Sequence, residues 1–181
     1  MTRQEGITTN TYQRIIMGPG AVYTGISQAT LLGATMGGNV MEINRTFRDI
    51  RPDGALGKVK NFRRLESVEA VLTVRLLEVT ETAIIYALAG SSEAAGVITG
   101  GEIVNATYID YVSIIAEITG ITAVSELATV AIEITNALVE GPLTITLPES
   151  GETVIELKFN AHYDATTLTT EPWKITFTHA A

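Results

Sequence analysis

Two histidines, His162 and His179, carry the widest chemical repertoire in this chain, because imidazole titrates near neutral pH and ligates metals. His162 stands two residues before Asp164 in the run FNAHYD, a spacing that lets the carboxylate pair with the ring or share a metal with it. No third ligand accompanies them, and zinc sites use three or four protein ligands. His179 falls in a terminal stretch, where fraying is the rule. The default for His162 is an exposed histidine on the polar side of a strand. Neither histidine is assigned to catalysis or to a metal.

Nucleophile motifs fail as well. The serines of GISQA (Gly25–Ala29) and GSSEA (Gly90–Ala94) lack the last glycine of a nucleophile elbow, and neither follows a strand into a helix. GALGKV (Gly54–Val59) has glycines near a lysine but not the spacing of a phosphate loop, and Val59 follows Lys58 where Ser or Thr is needed. There is no cysteine, which excludes disulfides, thiol catalysis and Cys-ligated zinc. The 20 scattered acids contain no pair that spacing alone marks as catalytic. The expectation is a protein that is not an enzyme and uses no cofactor.

Charge is more informative. The 181 residues carry 12 Lys plus Arg against 20 Asp plus Glu, a formal net charge of −8, which opposes a grip on nucleic-acid phosphates. Residues 1–75 hold 10 basic and 6 acidic residues, whereas residues 76–181 hold 2 and 14. Seven cations, Arg45, Arg48, Arg51, Lys58, Lys60, Arg63 and Arg64, crowd into RTFRDIRPDGALGKVKNFRR, opposed there only by Asp49 and Asp53. Pro52-Asp53-Gly54 is turn chemistry, so the segment reads as two strands projecting into a long basic hairpin or loop. A solvated loop and a nucleic-acid grip compete with a third reading, docking onto the acidic remainder of a neighbouring copy. Only the third accounts for both halves of the charge split, and complementarity of that kind sets register.

The elements that must position this segment are mostly strands, because period-2 alternation dominates. ESVEAVLTVRLLEV places Val68, Ala70, Leu72, Val74 and Leu76 on one face. ATVAIEITNAL points Val130, Ile132, Ile134 and Leu138 inward. TVIELKFNAHY alternates Ile155, Leu157, Phe159, Ala161 and Tyr163 against polar residues. The last run does the same with Trp173, Ile175 and Phe177, and VMEINRTFR with Met41, Ile43 and Phe47. One-sided alternation describes antiparallel sheets with one face on a core. One helix is expected in TETAIIYALAG, with Thr80 as N-cap, Glu81 in the first turn, an apolar side of Ile84, Ile85 and Leu88, and Gly90 as the stop. The segment Ala106–Ile118 is read as a strand. The fold class is mainly β, an antiparallel β-sandwich flanked by one short α-helix.

A mean hydropathy of +0.26 with 18% charged residues falls below the usual quarter of charged positions; surplus uncharged surface suits subunit interfaces. The N-terminus has no apolar h-region of a signal peptide. The longest apolar run, Ala83–Ala89, is far short of a membrane span. A soluble single domain over residues 1–181 is expected, with no membrane partner and with residues 1–19 as a flexible arm.

The order of pieces resembles a known family. GAVYTG (Gly20–Gly25), GATMGGN (Gly33–Asn39) and EINRTFRDIRPDGALGKVKNFRR (Glu42–Arg64) come first. A long strand, a short helix, FNAHYD (Phe159–Asp164) and EPWKITF (Glu171–Phe177) follow. Across nearly its whole length this is similar to the tail tube (major tail) proteins of bacteriophages with long, non-contractile tails, a fold related to the needle-tube proteins of type VI secretion. The resemblance implies hexameric rings that stack into a hollow tube for the DNA genome, with inner sheets joined into a barrel around the lumen. The loop within residues 45–64 would bridge one ring to the next through its seven cations.

The same resemblance implies a tail tip initiator, a tape measure protein and a tail terminator as partners, with assembly in the host bacterial cytoplasm and a final place in the virion tail. Six copies at −8 each would give a ring −48, and a wall without phosphate grip lets DNA slide. The lumen candidates are the polar-face residues Glu42, Asn44, Glu69, Thr73, Thr129, Glu133 and Thr135. The alternatives are a β-sandwich binding or adhesion module and a needle-tube component of a secretion-like apparatus.

Overall fold

The computed structural model describes residues 20–25, 30–100, 109–117 and 127–179, with backbone alone for 109–117, 127–129 and 179. Ten strands and one helix follow in order: β1 (Ala21–Thr24), β2 (Thr30–Gly33), β3 (Val40–Asp49), β4 (Arg63–Leu76), α1 (Glu81–Ala87), β5 (Ser92–Ala94), β6 (Val97–Thr99), β7 (Ile109–Glu117), β8 (Leu127–Val139), β9 (Ile155–Ala161) and β10 (Trp173–His179). The chain is mainly β, antiparallel, with a single short helix among the described residues, as its alternation predicts. β5 and β6 form a small hairpin of their own.

The other eight strands make one sheet in the order β2-β1-β7-β8-β9-β4-β3, with β10 also on β8. β10 runs along Leu127–Ile134 of β8 and β9 along Ala137–Val139. Asn136, between these two stretches, takes a left-handed φ of +48°. The sheet curls until its ends meet. Val22 of β1 and Leu32 of β2 share a buried cluster with Leu72, Val74 and Leu76 of β4. The chain leaving β2 then bonds directly to the end of β4: the Met36 N–H donates to the Arg75 carbonyl (3.0 Å) and the Leu77 N–H to the Ala34 carbonyl (2.8 Å). The two layers expected of a sandwich are therefore one sheet folded over its own apolar face.

That face is the one the alternation marks. Ala70, Leu72, Val74 and Leu76 of β4 and Ile155, Leu157 and Phe159 of β9 are at most 1% exposed. Each large side chain buried in this way contributes about 1.5–3 kcal/mol. α1 starts where expected: the Thr80 Oγ1 accepts from the Ala83 N–H at 3.2 Å. Its buried residues, however, are Ala83 and Ala87, while Ile84 and Ile85 are half-buried and Leu88 is exposed. Alanines four apart let the helix backbone lie close to the sheet, so the small residues, not the large ones, meet the core.

Three stretches depart from the expected alternation. Leu138 of β8, expected inward, pairs with Asn160 on the polar face of β9 while Ala137 is 0% exposed, because the left-handed Asn136 shifts the phase of the strand. Ile175 and Phe177 of β10 are 39% and 52% exposed, although they pair with Ile132 and Val130. Among the described residues β10 bonds to β8 alone, and these two side chains on it stay exposed. Phe47 of β3, expected inside, is 41% exposed, because β3 has by then left the core.

Candidate functional site

From Asn44 to Ser67 every residue is exposed except Asp49 and Ala55, which are half-buried. β9 covers β4 only from Val71 onward, so the first half of β4 and the second half of β3 form a two-stranded ribbon outside the sheet. The ladder pairs Asp49 with Arg63, Arg48 with Arg64 and Phe47 with Leu65, then skips Glu66 to pair Thr46 with Ser67. A bulge of this kind bends and twists the ribbon. The loop beyond it is ordered by turns. Ile50 donates its N–H to the Phe62 carbonyl (2.7 Å), Ala55 to Pro52 (3.2 Å) and Phe62 to Val59 (3.2 Å). Gly54 (φ +84°) and Asn61 (φ +70°) occupy the left-handed third positions of these turns, where Gly and Asn are favoured.

The seven cations are on this arm but are not equivalent. Arg45 lies at its base, opposite Val68 and so on the core-facing side. Its Nη2 donates to Glu171 Oε2 at 2.7 Å, and its guanidinium lies 5.6 Å from the centroid of Trp173. Trp173 Nε1 donates to the same carboxylate oxygen at 2.6 Å. Arg45 thus ties the base of the arm to Glu171 and Trp173 of the same chain, while its side chain stays 44% exposed. Its hydrogen bond, followed by that of Trp173, holds the Glu171 carboxyl below the usual glutamate range. Lys58 Nζ sits 2.8 Å from Asp49 Oδ2, and Arg63 Nε is 3.6 Å from Asp49 Oδ1 while its guanidinium covers Phe47 at 4.2 Å. The Lys58 hydrogen bond, aided by the charges of Lys58, Arg63 and Arg51, holds Asp49 below the ordinary aspartate value.

Arg48, Arg51, Lys60 and Arg64 make no ion pair among the described residues. Arg48 faces Arg64 directly across the ladder, an arrangement that repels and that an external anion would relieve. The arm also carries what the charge pattern hid. Phe47, Ile50, Val59, Phe62 and Leu65 are each at least 40% exposed and Leu56 is fully exposed at 108%. A sequence signal for this exists: charged neighbours at Arg48-Asp49 and Arg63-Arg64 occupy both phases of the alternation, so neither ribbon face can lie on a core.

Of the lumen candidates, Asn44 pairs with Glu69, Glu42 with Val71 and Thr73 with Val40. These four share the outer face of β3 and β4, opposite the buried Ala70 and Leu72. Glu133 and Thr135 are half-buried on the outer side of β8, where Lys174 Nζ stands 3.6 Å from Glu133 Oε2. Thr129 pairs with Thr178 in the β8–β10 ladder, and its side chain lies outside the described residues, as do residues 1–19 of the expected arm.

His162 does not meet Asp164. Its Nε2 is 3.4 Å from Glu140 Oε1 and its Nδ1 3.1 Å from the Asn160 carbonyl, while Asp164 Oδ1 accepts from the N–H and hydroxyl of Thr166, both at 2.7 Å. Among the described residues no three His, Cys, Asp or Glu side chains group as metal ligands, and no helix is long and apolar enough to cross a membrane. No family model matches this chain, and none of the curated proteins is significantly similar to it.

Proposed function

We propose that this chain is the structural subunit of a bacteriophage tail tube: it forms hexameric rings that stack into a hollow tube through which double-stranded DNA passes. The observation that carries the reading is the β3–β4 arm. It presents six large apolar side chains at 40% exposure or more, together with a net charge of +5 over residues 45–64. Apolar surface of this extent on a projecting ribbon marks an interaction site, and the acidic remainder of the chain marks another copy as its partner. Strand edges on β3 and β10 that are unpaired among the described residues favour the same outcome, since such edges invite association unless an assembly uses them.

In this reading Arg48, Arg51, Lys60 and Arg64 bridge successive rings, with Lys58 and Arg63 shared between Asp49 and the neighbour. The outer-face residues Glu42, Asn44, Glu69, Thr73, Glu133 and Thr135 are candidates for the lumen wall. Initiator, tape measure and terminator proteins would define the two ends, and the finished protein would reside in the virion tail. A binding module is less well supported, because Trp173, the chain's single tryptophan, is held by Glu171 and Arg45 and is not presented to a ligand.

Electron microscopy of the concentrated protein, with light scattering on the same sample, tests this. Rings or hollow tubes with sixfold end views are expected, and Arg51→Glu/Lys58→Glu/Lys60→Glu should remain a folded monomer. A compact closed dimer that never forms rings would refute the reading.

A further inference from the structure

The arm needs a receiving surface, and the strand register shows where the far end of the molecule lies. β4 runs from Arg63, at the arm, to Leu76. β9 pairs Glu156 with Arg75 and Leu157 with Val74, and β8 ends at Val139 beside Phe159. Between these strand ends, α1 and the extended segment 140–154 lies a cleft of about 560 Å³. Its lining includes the apolar Ala87, Val139, Leu143 and Val154 and the charged Glu140, Glu156 and Lys158. From Arg63 to Val74 the strand rise of about 3.4 Å per residue places the cleft roughly 37 Å from the base of the arm's loop, at the opposite end of the fold.

The two ends are complementary in charge. Residues 140–156 hold four acids, Glu140, Glu149, Glu152 and Glu156, and no base; Arg75 and Lys158 each approach Glu156, at 3.2 and 3.6 Å. The arm holds a surplus of five cations around the fully exposed Leu56. We infer that the cleft beside residues 140–154 receives the arm tip of a second copy of this chain, with Leu56 between Val139, Leu143 and Val154, and with Arg51 and Lys60 against Glu149 and Glu152. Because tip and cleft are different surfaces at opposite ends, the contact is heterologous and repeats from copy to copy without closing on a dimer. The inference rests on the self-assembly reading and adds to it the site where the arm lands.

A chain without cysteine allows a direct test. Leu56→Cys and Thr146→Cys are both at exposed positions, Thr146 on the cleft wall, so neither endangers folding. A disulfide forms only where Cα atoms come within about 7 Å. The two variants, mixed before assembly and mildly oxidised, should accumulate a covalent heterodimer. That product should be lost when Thr178→Cys, near the opposite end of β8, replaces Thr146→Cys. Tubes that form without a preferential Leu56–Thr146 cross-link overturn the cleft and leave the tube reading standing. Absence of both assembly and cross-link at high protein concentration overturns the two together.

Discussion

Leu56→Ser should separate folding from the proposed assembly. The side chain is fully exposed at 108%, so its removal should alter folding stability by no more than about 0.5 kcal/mol. In a chain of this size that is at most about 2 °C in Tm. If the tip is buried in a neighbour, the same substitution forfeits about 1.5–3 kcal/mol at each contact. At 1.4 kcal/mol per decade the critical concentration for assembly should rise about 10- to 100-fold. Light scattering against protein concentration reads the second quantity and thermal unfolding by circular dichroism the first. Leu72→Ala provides the contrast: Leu72 is 0% exposed in β4, and its truncation should cost about 2–5 kcal/mol of folding stability. An unchanged critical concentration for Leu56→Ser would refute the docking role of the tip. A Tm loss of several degrees would show instead that Leu56 belongs to the fold.

Arg48→Glu should stabilise the isolated arm by about 0.2–1 kcal/mol, because it places opposite charges across the ladder at Arg64, yet it should weaken assembly; parallel gains in both would mean Arg48 faces no partner. Glu171 has its folded pKa depressed by Arg45 first and Trp173 second, so its contribution is present above the unfolded value of about 4.3 and is lost as pH falls through the lower folded value. The fluorescence of the single tryptophan should therefore stay flat from pH 7 to about 4.3 and step below it, with the step absent in Glu171→Gln; a step above pH 5 would contradict the clamp. Ala83→Leu, at a position 1% exposed, should destabilise the fold by about 1–3 kcal/mol through overpacking, measured by urea unfolding. Glu69→Lys with Glu133→Lys should leave tubes assembled but slow DNA ejection, and ejection at the normal rate would remove these residues from the lumen wall.

The core was legible because burial on one side of a strand writes a period of two into the residue types. Val68 to Leu76, with Val71 as an apolar intruder on the outer face, and Ile155 to Phe159 show it, and the inward residues of both runs are buried as read. The N-cap at Thr80 was equally legible, since a hydroxyl that accepts from the N–H three residues on is a local matter. Local reading failed where neighbours decide. Phe47 continues the alternation of Met41 and Ile43 but lies beyond the reach of β9, so the same pattern that buries one end of β3 exposes the other. Ile175 and Phe177 alternate correctly on a strand that, among the described residues, pairs with β8 alone. In α1 the sequence favours the bulky Ile84, Ile85 and Leu88, whereas close approach to the sheet selects Ala83 and Ala87.

What the sequence determined by itself is the class of the fold and the polarity of its charge, because side-chain period and ionisation belong to residues before any contact forms. It marked residues 45–64 as a basic projection for the same reason. The tertiary structure alone decided that two expected layers are one curled sheet, that Arg45 pairs with Glu171 beside Trp173, and that the arm and the cleft stand at opposite ends. Each of these depends on which strands pair and in what register, and pairing between residues more than a hundred positions apart, as for Arg45 and Glu171, leaves no mark on the local pattern of either.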